Sequence, residues 1–377
     1  MKRRIAQERI KRFQKILQEN KIDIDVALFT RRENTIYFTG GITQVECIAV
    51  IIPKEGDPAV ITLWLDAPYV AENSGIEKVF GYHFPSNNLG KKVVEVLKTE
   101  FGLKAPKIKI GTERYFMDFY LYNELKKGFP KIEFIDLSEI IYKVRAVKEP
   151  REINYNIKKA SAIVVRGMEA AINSVKPGIS EVEVLAEAEY AMRKAGSEGS
   201  NFRMQVLAGS ERQLLTHPYA SNNKIKNNQT VVIHLGATYM GYSAKMCRTV
   251  AVGKVPEKTK EIYEVILDAQ TTAINALKPG KLASEVFNAA YEVVRKAGYG
   301  NYFLDVIGYG IGLRQSEFYP IIKKNSEHRI ESNMVVGLLL PTIYVKNYGG
   351  PRVTDVIQVT EDGPRILTKY PRELIEL

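Results

Sequence analysis

Two residues eleven positions apart, His234 and Lys245, carry the clearest chemical potential in the chain. His234 sits in the β-rich run Val231-Val232-Ile233-His234-Leu235-Gly236-Ala237, and Lys245 just before Met246-Cys247-Arg248-Thr249. The two runs should lie as neighbouring strands, so both side chains could face one cleft. An imidazole binds metals and moves protons. A lysine kept from water there would have a lowered pKa and could act as a base; the plainer reading pairs it with a carboxylate or lets its head reach solvent. Tyr309, between Gly308 and Gly310, could donate a hydrogen bond to an oxyanion or simply fill space. His217, in Leu215-Thr216-His217-Pro218, is either a further proton carrier or a loop histidine with local hydrogen bonds. His83 and His328 suggest no role.

These residues belong to a 377-residue chain, long enough for two domains and a large core. Its 45% hydrophobic and 26% charged content is that of an ordinary globular protein. No apolar run approaches membrane-spanning length. The N-terminal stretch Met1 to Lys15 is basic without an apolar core and is expected to form an amphipathic helix rather than a signal peptide, which makes the cytoplasm the expected location. Cys47 and Cys247 are far apart and read as buried thiols, not a disulfide framework. The net charge of +11 is spread along the chain. No aromatic-basic motif accompanies it, so it reads as a solvated surface, as in proteins from hot environments, and nucleic acid is not an expected partner.

The elements that must position the chemistry fall into two parts. In the first, helical patterns (Arg9 to Glu19, Tyr69 to Glu72, Lys91 to Thr99) alternate with β-rich runs (Val26 to Phe29, Glu46 to Ile52, Ala59 to Leu63, Lys107 to Gly111), which argues for an α/β domain. The charged connection Arg145-Ala146-Val147-Lys148-Glu149-Pro150 precedes a long helix expected from about Glu152, and the domains are set at 1–142 and 143–377. The second part repeats itself. Ala171-Ile172-Asn173-Ser174-Val175-Lys176-Pro177-Gly178 returns as Ala273-Ile274-Asn275-Ala276-Leu277-Lys278-Pro279-Gly280, and Arg193-Lys194-Ala195-Gly196 as Arg295-Lys296-Ala297-Gly298, at one offset of 102. Each copy reads helix, Pro-Gly turn, helix, glycine cap, then strands. Two copies imply an approximate internal two-fold, with a cleft between the halves as the natural ligand site.

These motifs resemble the family of prolidase, aminopeptidase P, methionine aminopeptidase and creatinase. Val231 to Ala237 resembles the family strand ending Asp-Leu-Gly-Ala. Gly308-Tyr309-Gly310-Ile311-Gly312-Leu313 resembles Gly-His-Gly-Ile-Gly-Leu, Met334 to Pro341 the strand ending Glu-Pro, and Arg352-Val353-Thr354-Asp355 resembles Arg-Ile-Glu-Asp. The resemblance implies an α/β (α+β) protein: a creatinase-like N-terminal α/β domain and a C-terminal "pita-bread" domain with a pseudo-two-fold repeat. In the family, two divalent ions share Asp, Asp, His, Glu and Glu, hold a bridging hydroxide and polarise the scissile carbonyl. Here those positions hold His234, Lys245, Tyr309, Leu340 and Thr354. An ammonium has no lone pair, leucine cannot bind metal, and tyrosine and threonine are poor ligands at neutral pH. The expectation is therefore a prolidase or aminopeptidase P homologue with no metal cofactor. Its cationic cleft would bind a peptide or small anion, through Arg352, Tyr309, Lys245, His234 and Glu317.

Two other expectations stand beside it. His217 falls where the family has a catalytic histidine, and in metal-free creatinase the matching residue looks like the acid-base group, so a metal-independent C–N hydrolase is one alternative. A protein or nucleic-acid interaction module, as in metal-free pita-bread domains of chromatin proteins, is another. The family's second pocket histidine falls on Ser316, beside Glu317, which is read as more structural than catalytic. The resemblance also implies a homodimer, in which Trp64 could reach a partner's cleft.

Overall fold

The computed structural model describes residues 2–46, 48–115, 117–338 and 343–377, with side chains from Arg4 onward. Cys47, Leu340 and Pro341 fall outside the described residues. The chain divides into two compact units, Met1–Val144 and Arg145–Leu377. No helix is long and apolar enough to cross a membrane among the described residues.

In the first unit the elements run α1 (Lys2–Glu19), β1 (Val26–Phe29), α2 (Arg32–Phe38), β2 (Ala49–Pro53), β3 (Ala59–Leu63), α3 (Ala67–Asn73), β4 (Lys78–Tyr82), α4 (Leu89–Thr99), β5 (Lys109–Thr112), α5 (Phe119–Gly128), β6 (Glu133–Asp136) and α6 (Ser138–Ala146). The strands form one mixed sheet in the order β4-β3-β2-β1-β5-β6. Ala49, Ile51, Ala59 and Ile61 pack against Val93, Leu97, Leu121 and Leu125 of α4 and α5 in a continuous apolar core. Asn88 and Asp118 cap these helices by accepting from the backbone N–H three residues on, as a free first turn requires.

The second unit opens on a π-helical turn, Glu152–Ile157, that runs into α7 (Lys158–Ser174). It continues through α8 (Glu181–Lys194), β7 (Gln205–Ala208), α9 (Ser210–Gln213), β8 (Gln229–Tyr239), β9 (Tyr242–Val252), α10 (Glu257–Ala276), α11 (Ala283–Lys296), β10 (Val306–Gly310), β11 (Glu317–Lys323), β12 (Val335–Leu338), β13 (Asp355–Gln358), β14 (Arg365–Ile366) and β15 (Ile375–Glu376). The sequence repeat is a structural repeat. Gly178 and Gly280 both take left-handed backbone, φ +90° and +86°. Each donates its N–H to an isoleucine carbonyl, Ile225 at 2.9 Å and Ile330 at 2.8 Å. A side chain at either position would be strained, which is why the Pro-Gly turn appears in both copies. Each copy lays a helix pair, α7/α8 or α10/α11, beside its own sheet. The sheets have the orders β15-β9-β8-β7 and β11-β10-β12-β13-β14, joined where Cys247 and Thr354 exchange backbone hydrogen bonds.

Candidate functional site

The β8–β9 hairpin positions the central pair. Its two-residue turn, Met240-Gly241, has positive φ at both positions, the geometry that matches strand twist and fixes register. In that register His234 faces Cys247, and Gly236 faces Lys245. Residues opposite one another in an antiparallel pair share a face, so His234, Lys245 and Cys247 project together, with Gln205 of β7 opposite His234 on the other side. The expected meeting of His234 and Lys245 on adjacent strands is what the hairpin builds.

That face lines a cleft of about 550 Å³ whose wall includes His217, His234, Lys245, Tyr309, Arg203 and Arg314. Asp305 is the one acidic residue lining it among the described residues. A larger groove on α7 and α8, lined by Lys159, Arg166 and Lys194, contains none of the motif residues.

Lys245 is 2% exposed. Its Nζ lies 3.3 Å from Ser316 Oγ and 5.8 Å from the centroid of the Tyr309 ring. No carboxylate pairs with it among the described residues, and burial pulls its pKa down to about 7. The strand opposite makes room: a Cβ on Gly337 would stand 2.5 Å from Lys245 Cε. His234 is buried with its ring 5.1 Å from that of Phe202, and its Nε2 has no hydrogen-bond partner. Burial first, then repulsion from Lys245, Arg352 and His217, holds its pKa well below the usual histidine value, so the ring is neutral at pH 7. An unpaired buried nitrogen costs free energy unless a ligand or water meets it.

The other motif residues lie elsewhere. Arg352 is buried behind the cleft and does not line it. Its guanidinium donates to Gln205 Oε1 (3.1 Å) and to the carbonyls of Gln213 (2.9 Å), Leu215 (3.2 Å) and Gly350 (3.2 Å). Gln205 in turn donates to the Thr216 carbonyl at 3.1 Å. Arg352 thus fastens the loop that carries His217, a placing role. Glu317 is likewise not in the cleft wall: it is buried against Arg145 in an ion pair and accepts from the Arg314 N–H at 3.3 Å. A carboxylate so deeply covered needs such a partner. Thr354 is buried in the bridge to Cys247, and its carbonyl accepts from Arg248 at 3.1 Å. The next residue, Asp355, forms a fully buried ion pair with Arg248 at 2.8 Å. The expected ligand position at Leu340 lies outside the described residues. His217 is exposed at the cleft rim, where its carbonyl accepts from Arg203. Among the described residues, no three His, Cys, Asp or Glu side chains gather closely enough to hold a metal ion.

Arg203 and Arg314 could not have been singled out from spacing alone, because long-range packing brings them to the cleft. The only signal was the basic excess of the chain.

A creatinase-type α/β unit followed by a duplicated helix-and-strand unit with a cleft on its inner sheet face defines a class of proteins. The comparisons give that class a family. The model for metallopeptidase family M24 matches residues 155–361, and that for the creatinase/prolidase N-terminal domain matches residues 9–147. The Xaa-Pro dipeptidase of Pyrococcus furiosus is 33% identical over 98% of this chain and 99% of its own length. Among solved structures, a prolidase from Pyrococcus horikoshii superposes with TM-score 0.86 at 31% identity, covering 98% of this chain and 100% of that one. An Xaa-Pro dipeptidase from Bacillus anthracis superposes with TM-score 0.88 at 31% identity, covering 99% and 100%. The chain belongs to the M24 metallopeptidase family, with the prolidase two-domain layout.

Proposed function

We propose that this chain is a prolidase homologue that has lost the dinuclear metal centre and uses its cleft to bind a small anionic, peptide-like ligand. The observation that carries the reading is Lys245, a buried amine without a carboxylate partner where the family resemblance expects a metal-binding aspartate. A fixed ammonium repels a divalent cation, and a neutral amine in a wall shared with His234 and Tyr309 does not supply the four carboxylates that balance two such ions. The donor set does not fit the metal pair, so no hydrolytic step is routed through it.

The same groups suit a carboxylate. Lys245 can donate up to three hydrogen bonds, the unpaired His234 Nε2 gains a partner when the neutral ring carries its proton there, and Arg203 and Arg314 add positive potential at the wall. Calorimetric titration with Xaa-Pro dipeptides and with their amidated forms tests the reading. Binding that needs the free carboxylate, persists in a strong chelator and is lost in Lys245→Met supports it; binding that needs added Mn²⁺ or Co²⁺ rejects it.

A metal-free hydrolase is the second reading, favoured by the location of His217 in the same cleft wall as Lys245. Chelator-resistant turnover that disappears in His217→Ala would establish it. A homodimer and a cytoplasmic location go with the family resemblance and are part of the proposal; light scattering on the purified chain tests the first.

A further inference from the structure

An anion site needs a positive charge, yet the amine that would supply it is held in a place that strips the charge away. Lys245 Nζ lines the cleft with its stem covered, and its hydrogen-bond partner is a neutral hydroxyl, Ser316 Oγ. Arg352 lies behind His234, and Arg203 and Arg314 stand in the wall. Withdrawal from water inside a cleft is the device that turns a lysine into a nucleophile near neutral pH, and burial is what acts on Lys245. The cleft has room for a small molecule beside it, and its arginines suit a carboxylate.

We propose that Lys245 is a site of reversible imine formation with small 2-oxo acids, compounds that carry a ketone or aldehyde carbon next to a carboxylate. The inference rests on the metal-free, anion-binding reading of the same cleft. The Nζ lone pair attacks the oxo carbon and forms the C–N bond, while the carbonyl pair moves to oxygen, which takes up a proton. The carbinolamine nitrogen then loses its proton. Its lone pair forms the C=N bond as the hydroxyl leaves with a second proton as water, and the resulting iminium nitrogen gives up its remaining proton. One amine and one oxo acid give one imine and one water, with no redox change. The proton acceptor and donor at hand are His234, whose Nε2 is otherwise unpaired, and the Tyr309 hydroxyl on the strand facing Lys245.

The test is reductive trapping. The full chain is incubated with pyruvate and cyanoborohydride at about pH 7, where a lysine held near 7 is neutral about a thousandfold more often than a surface lysine. Peptide mapping then reads where the carboxyethyl group has been added. The N-terminal amine, itself neutral in part at that pH, serves as internal reference for unassisted reaction. The proposal expects Lys245 to be labelled at least about tenfold faster than the typical surface lysine, with labelling suppressed by lactate, which has the carboxylate but no oxo carbon. Labelling spread evenly over surface lysines, or confined to the N-terminus, overturns it. Calorimetry with lactate on the same sample separates the two claims. Lactate binding without labelling at Lys245 removes the imine and leaves the anion site; neither binding nor labelling removes both.

Discussion

Replacing Lys245 by methionine should stabilise the second unit at neutral pH and leave it unchanged at alkaline pH. The lysine is held near pKa 7 by burial, against an ordinary 10.5. Between those values the unfolded chain binds a proton that the folded chain has released, so stability rises with pH across the window. Below about pH 7 both states are protonated and the folded chain bears the whole cost of a buried ammonium. At about 1.4 kcal/mol per pH unit, the gap from 7 to 10.5 sets that cost at no more than about 5 kcal/mol. Water in the cleft reduces it, so Lys245→Met, which keeps the volume of the stem, should gain about 2–5 kcal/mol at about pH 6 and nothing above about pH 10.5. The single tryptophan, Trp64, is in the first unit, so its fluorescence is the wrong probe. Cys247 is the right one: it lies beside Lys245 on β9, and burial raises its thiol pKa to about 12. Alkylation of Cys247 against denaturant concentration, resolved from Cys47 by peptide mapping, gives the unfolding free energy of the hairpin at each pH. A variant less stable at about pH 6, or a gain that stays constant to about pH 10.5, refutes the buried, unpaired amine. A lysine kept at such a cost is expected to serve ligand binding, so the stabilised variant should also lose it.

Other perturbations follow from the same geometry. Carboxylate affinity should fall as pH rises through about 7, by up to tenfold per unit, because Lys245 binds the anion best as an ammonium; calorimetry in buffers of different ionisation enthalpy should show proton uptake above that pH. Gly337→Ala places a methyl group 2.5 Å from Lys245 Cε and should weaken ligand binding at least about tenfold, with little loss of secondary structure by circular dichroism. Asp355→Ala leaves Arg248 as an uncompensated buried charge and should cost about 3–5 kcal/mol in the Cys247 alkylation assay. Arg352→Lys cannot span the carbonyls of Gln213 and Leu215 together with Gln205, so limited proteolysis should cut the loop around His217 faster than in the parent.

The repeat was the most legible part of the fold, because a left-handed glycine after proline imposes itself on the sequence twice, at Gly178 and Gly280. The meeting of His234 and Lys245 was legible for a similar reason: strand period and a two-residue turn leave one register. The first unit was harder. Helix α2 is buried from Asn34 to Phe38 and shows no periodicity to read. Strand β4 is half-exposed and contains a glycine, and β6 is a short edge strand, so neither has an alternating pattern. At the site, Arg352 and Glu317 were legible as motif residues, and Glu317 as a structural one, but the partners they hold were not. Arg145 is 172 residues from the carboxylate it neutralises, and Arg352 is 139 from the loop carbonyl it holds. Pairings at that distance are set by tertiary packing, and no local pattern encodes them.

The central claim is that the cleft has exchanged a metal pair for a fixed amine. Elemental analysis of the purified chain, after equilibration with Mn²⁺, Co²⁺ or Zn²⁺ and removal of unbound ion, tests it most directly. The account predicts no stoichiometric metal with any of the three, in the parent as in Lys245→Met. Two tightly held divalent ions per chain would contradict it.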